Sequence, residues 1–202
     1  MKTSQFVECS QFPCTDVDHR CYLVPDIEVN PEKIGIIMIS EATPASPGDY
    51  YYAGGDSLFA KTTVLVFNEA GVKVNSIQDI LNLGIYMTSA VKCGKTGYGI
   101  ASSTIKECSL LLEKEIGLFP NVKALLLMGD VAIKSLNEIA RRAGAGRVIP
   151  AIPTYKLRGQ QFYFRGARVF PSYLQAGPSF FIEKGKHRVI AEDITAALKL
   201  VA

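Results

Sequence analysis

The rhythm of apolar and polar positions changes along this chain. Residues 34–39 and 123–128 are dense apolar runs without a polar face, as in strands buried on both sides of a parallel sheet. Residues 84–91 read as a further strand. Helical spacing follows. Thr104-Ile105-Lys106-Glu107 matches a capping box, where threonine and glutamate oxygens satisfy orphan backbone donors. The helix it predicts carries Ile105, Cys108, Leu112 and Ile116 on one face. Asp130 is placed to cap another helix, running to Arg142 and ended by Gly144 and Gly146. Segments 161–164 and 167–170 flank Arg165-Gly166 as a hairpin. Ile190, Ile194, Ala197, Leu198 and Val201 predict a last helix over residues 186–201. Residues 1–33 are an irregular, cysteine-bearing arm. This alternation predicts an α/β fold, a three-layer α/β/α sandwich with a mainly parallel sheet, spanning 1–202 as one domain.

Composition narrows the class. A chain of 202 residues at 48% hydrophobic fills one core, and no apolar run reaches the ~18 residues of a membrane span. The N-terminus lacks the apolar core of a signal peptide, so a cytoplasmic protein is expected. Five cysteines suit metal ligation or plain burial better than a disulfide framework. A net charge of +3 permits a nucleic-acid partner without demanding one. Nothing implies a membrane or an obligate protein partner, and the oligomeric state stays open.

Two segments carry the candidate chemistry. The first apolar run breaks at Ser40-Glu41-Ala42-Thr43-Pro44, with one carboxylate at the strand's carboxyl end, where ligands collect in open α/β sheets. The competing reading of Glu41 is a solvated or capping strand-end carboxylate. Beyond it, residues 47–59 form a long connection holding Tyr50, Tyr51 and Tyr52, flat faces for a base or a lid over the core. The second segment is Phe170-Pro171-Ser172-Tyr173-Leu174. His19 and His187 are the only histidines, and His187, in Lys184-Gly185-Lys186-His187-Arg188, reads as part of a solvated basic face.

Further short motifs fall between these two. They are Gly55-Asp56-Ser57-Leu58-Phe59, Thr88-Ser89-Ala90-Val91-Lys92-Cys93, and Met128-Gly129-Asp130-Val131-Ala132. In order and spacing the series resembles the uracil-DNA glycosylase superfamily, specifically its family-4-like, iron-sulfur-containing members. That resemblance implies a glycosylase-like fold, DNA as partner, and recognition or excision of a flipped base by N-glycosidic hydrolysis. It assigns Glu41 to orienting or activating water, and Phe59 or a loop tyrosine to stacking on the base. Ser89 would touch the base edge, and backbone around Ala42, Thr43 and Ser172 would hold oxyanion or phosphate. Pro171, Tyr173 and Leu174 would wedge into DNA, with Arg168, Lys184, Lys186 and Arg188 on phosphates. It also implies a 4Fe-4S cluster on Cys9, Cys14, Cys93 and Cys108, with Cys21 as rival ligand.

Two departures fall on chemistry. Ser89 stands where the family has asparagine, and serine cannot present a paired donor and acceptor at that reach. Phe170 stands where the family has histidine, and it cannot offset charge on a departing base, a loss worth ~10²–10³ in rate. Uracil excision is therefore expected to be weak or absent. The alternatives are a non-catalytic DNA-binding module of the same fold, and a hydrolase or transferase of free nucleotides or nucleosides.

Overall fold

The computed structural model describes residues 1–201. Its centre is a mixed six-stranded sheet. In chain order the strands are β1 (Val17–Asp18), β2 (Ile36–Thr43), β3 (Ile85–Lys95), β4 (Ala124–Met128), β5 (Phe162–Phe164) and β6 (Ala167–Ser172). Their order in space is β1-β3-β2-β4-β6-β5. The inner four run parallel, and the short edge strands β1 and β5 are antiparallel to their neighbours.

Alternation along β2 divides the core. Ile37 and Ile39 face α3 (Ser102–Ile116) and α4 (Asp130–Arg142); Ile36 and Met38 face α1 (Leu58–Glu69), α2 (Ile77–Asn82) and α6 (His187–Leu198). Both faces are therefore covered, which is why the central strands lack a polar side. A one-turn helix, α5 (Ser179–Ile182), lies between β6 and α6. No helix among the described residues is long and apolar enough to cross a membrane.

The register contains one irregularity. Ala42 pairs with Val91 but Thr43 pairs with Gly94, so Lys92 and Cys93 have no counterpart on β2. Such a bulge re-aims side chains that strict alternation would fix. Here the carbonyl of Lys92 is taken up by the backbone N–H of Leu23 in the N-terminal arm, at 2.7 Å.

Several expectations change. The capping box at Thr104 is absent: α3 begins earlier, and its Ala101 N–H donates to Asp16 at 2.6 Å. The Thr104 hydroxyl also donates to Asp16, so the arm supplies the cap. Asp130 does not cap α4 either; it pairs with Lys134 at 2.6 Å, and Gly129 occupies the cap position. Helices α1 and α2 and strand β1 add to the expected elements. The hairpin forms as expected, with Arg165 and Gly166 both at positive φ.

Candidate functional site

The carboxyl ends of the parallel strands open into a cavity of about 880 Å³, bordered by Glu41, Phe59, Lys95, Tyr98, Leu174 and Pro178. That volume suits a small organic ligand. Segments from opposite ends of the sequence meet here. Glu41, Ala42 and Thr43 come from β2, Phe59 from the first turn of α1, and Leu174 from the loop after β6. The Ser57 hydroxyl caps α1 by accepting from Ala60 N at 3.2 Å, which holds Phe59 at the cavity wall.

Glu41 lies across the start of α4. Its Oε1 accepts a long hydrogen bond from Val131 N at 3.4 Å, and its Oε2 is 3.5 Å from Lys95 Nζ. A carboxylate at a helix N-terminus is favoured by the helix dipole. Gly129 makes this approach possible. Its φ of 110° suits glycine, and a Cβ there would stand 2.7 Å from Glu41 Cγ. Lys95 is the only cationic side chain lining the cavity among the described residues.

Ser89 is not on the cavity surface. It is fully buried, with its Oγ 3.0 Å from Ser40 Oγ. Ser172 is also fully buried, and adjoins the Asp193 carboxylate on α6. Burial raises the Asp193 pKa, opposed by Ser172 and by Arg158, whose Nη1 donates to Asp193 at 2.5 Å. The three tyrosines are core rather than a free platform. Tyr50 and Tyr51 are buried, Tyr51 accepts from Gln175 Nε2 at 3.0 Å, and Tyr52 accepts from Met87 N at 2.9 Å. Burial raises all three phenol pKa values, so they remain neutral.

The second segment is divided by the end of β6, with Phe170 inside the strand and Leu174 in the loop beyond it. Phe170 faces a separate depression with Lys123, Tyr163 and Arg168, and the Arg168 guanidinium lies 5.1 Å from its ring centre. Arg168 is near the amino end of β6, opposite Ala124 at the start of β4. Neither residue joins Glu41. Pro171 is buried within β6, whereas Tyr173 and Leu174 are half-buried. Lys186 Nζ sits 4.9 Å from the Tyr173 ring. Lys184 and Arg188 border another depression, with Glu69 and Lys199. His187 is not a solvated base. Its ring stacks on Phe180 at 3.7 Å, with Nε2 2.7 Å from Phe180 O and Nδ1 3.1 Å from Glu69.

Four cysteines lie toward the α3 face: Cys93 and Cys108 in the core, Cys14 packed against it, and Cys9 beside Val7, Val24 and Leu111. Burial, and then the neighbouring Cys108, Cys9, Cys14 and Cys21, push the Cys93 thiol up to about 12. Burial first, with Cys14 and Cys9 adding, pushes Cys108 up to about 11. As free thiols these two are protonated and unreactive at neutral pH. Cys21 is turned away, donating to Ala45 O at 3.1 Å. No three His, Cys, Asp or Glu side chains among the described residues are grouped to hold one metal ion.

Sequence reasoning missed Lys95 and Tyr98. Tyr98 had a visible sign, an aromatic between two glycines; Lys95 had none, because only the register of β2 and β3 brings it to Glu41. Comparison with protein-family models and with curated proteins returned no match, so the chemistry of this site rests on its own geometry.

Proposed function

We propose that this protein binds DNA and holds one nucleobase in the cavity at the carboxyl edge of its sheet, in the manner of the uracil-DNA glycosylases it resembles. The observation that carries the reading is convergence: Glu41, Phe59 and Leu174, from three separate motifs of that resemblance, border one cavity. In the catalytic form, Glu41 accepts a proton from water as its oxygen bonds to the sugar carbon, and the glycosidic bond breaks toward the base. Lys95 then supplies the positive charge for the departing base that Phe170 cannot. Binding without release is the outcome that would mark a non-catalytic module of the same fold.

The same reading includes a 4Fe-4S cluster on Cys9, Cys14, Cys93 and Cys108. No three of these side chains are grouped for a single metal ion among the described residues, so the reading rests on the placement of the cysteines. The placement of these four cysteines toward α3 supports the ligand set, and the Cys21–Ala45 hydrogen bond argues against Cys21. Bound there, the cluster would tie the N-terminal arm to β3 and α3 as a staple. Protein purified without oxygen should contain about four irons and keep them in Cys21→Ser; folded, iron-free protein would remove the cluster.

A screen of binding and base release tests the function, using DNA with uracil, hypoxanthine, xanthine or alkylated bases. Binding to one of these, weakened by salt as phosphate contacts require, is the expected result. Tight binding of free nucleotides without salt-sensitive DNA binding would replace it with a nucleotide-processing activity.

A further inference from the structure

Tyr98 is the most exposed large apolar side chain among the described residues, yet it borders the cavity that holds Glu41 and Phe59. Its loop, between β3 and α3, is fastened at both ends to one residue. Thr96 Oγ1 donates to Asp16 O at 2.9 Å, and Ala101 N donates to Asp16 Oδ2 at 2.6 Å. Only residues 97–100 are left between these anchors. Gly97 and Gly99 flank the tyrosine, and a Cβ on either would meet nothing within 4 Å. Neither lies at positive φ, so neither strain nor crowding requires glycine there. What the pair supplies is freedom for the ring to turn about a fixed base.

The two aromatic rings at this cavity differ in depth. Phe59 is almost wholly buried in the wall, whereas Tyr98 stands clear at the rim. A base against Phe59 lies inside; the next base along the strand passes the rim. We infer that Tyr98 stacks on the nucleobase adjacent to the one in the cavity, so that the site recognises single-stranded or locally opened DNA rather than a free nucleotide. This rests on the base-binding function proposed above and deepens it. Base–aromatic stacking tolerates any sequence and commonly accounts for ~10-fold or more in affinity.

The test uses short single-stranded DNAs, each with uracil, hypoxanthine or xanthine beside one 2-aminopurine. Stacking quenches 2-aminopurine, so the wild-type protein should darken the probe. Tyr98→Ala should lose that quenching and weaken binding by roughly tenfold. Tyr98→Phe should keep both, and Tyr98→Ala should leave mononucleotide binding unchanged. Unaltered quenching and affinity in Tyr98→Ala would overturn the assignment. An equal loss for the mononucleotide would overturn it too, making Tyr98 a cover for the seated base. Phe59→Ala separates the two ideas: if it abolishes binding while Tyr98→Ala leaves quenching and affinity unchanged, the cavity reading stands and only the Tyr98 assignment falls. If the wild-type protein binds none of the strands, both fall.

Discussion

Two lysine–glutamate pairs tie β3 to its neighbours, close together on the strand and opposite in character. Lys92 and Glu115 are 0% and 1% exposed; Lys95 and Glu41 are 31% and 18% exposed. The buried pair is fully engaged. Lys92 Nζ donates to Glu115, to Thr88 Oγ1 at 2.8 Å and to Ser89 O at 2.6 Å. Glu115 also accepts from the Tyr86 hydroxyl at 2.7 Å and from Thr88 at 2.9 Å. Removing two ions from water costs several kcal/mol each, and only such complete bonding offsets it. A pair bonded on every side has nothing left for a ligand. The pair at the cavity is loose, 3.5 Å apart, and Glu41 has one further long hydrogen bond. Its carboxylate borders the cavity. Depth, not residue type, separates a structural pair from one able to do chemistry.

The largest expected effect breaks the buried pair. Glu115→Gln leaves an uncompensated ammonium in the core and should destabilise the fold by ~3–5 kcal/mol, read from urea unfolding midpoints. A double variant, Lys92→Met with Glu115→Leu, should recover part of that loss. If Glu115→Gln unfolds like the wild type, the two pairs are energetically alike and the comparison fails. The second effect is the mirror image. Glu41→Gln should lower any base release by ~10²-fold. Its cost in stability should be only ~0.3–1 kcal/mol, the scale of a charge at a helix end. A large drop in stability with unchanged release would make Glu41 a helix cap and nothing more.

How much of this was legible in the sequence follows from how local each cause is. The parallel strands were readable because both-face burial leaves a continuous apolar run, as in residues 123–128. The hairpin was readable because Arg165-Gly166 is its own turn signal. Glu41 was legible as a strand-end carboxylate, though its contact with α4 was not. The cap on α3 was hidden because its acceptor, Asp16, is remote in sequence. The depth of Lys92 was hidden because its partner is remote in sequence: alternation puts Tyr86, Thr88 and Lys92 on one face of β3, and all three bond to Glu115 on α3. The place of Phe170 was hidden because it lies within β6, opposite Leu126 and short of the strand's carboxyl end, so matching a motif does not place its side chain in the cavity. Tyr50 and Tyr51 look solvent-bound among glycines and prolines, yet their rings pack edge-on beside Phe59.

A third test moves Glu41 without removing it. Gly129→Ala places a methyl group where Glu41 now lies, on backbone that L-residues rarely adopt. The cost should be ~1–3 kcal/mol, with base release falling alongside as the carboxylate is displaced. Stability loss without loss of release would show that the position of Glu41 does not matter to the chemistry. Phe170→His serves as its control, and should give no gain in release because that side chain faces another depression.

The smallest effect concerns a third carboxylate, one that remains largely solvated. Hydrogen bonds from Ala101 N–H and then from Thr104 hold the Asp16 carboxyl below the usual carboxylate range. A carboxylate with a depressed folded-state pKa adds stability above its unfolded pKa of ~3.9, and that stability is lost as pH falls through the folded value. The wild type should therefore exceed Asp16→Ala by ~1 kcal/mol, a typical cap contribution, at neutral pH. The gap should narrow as pH falls below ~4, because protonated Asp16 no longer accepts both bonds. If depth sets the energy scale, this loss lies below that of Glu115→Gln across the whole pH range. A loss from Asp16→Ala as large as that from Glu115→Gln would show that the arm's hold on α3, rather than burial, dominates the fold around the cavity. The comparison of the two lysine pairs would then have to be drawn from position in the chain instead of from depth.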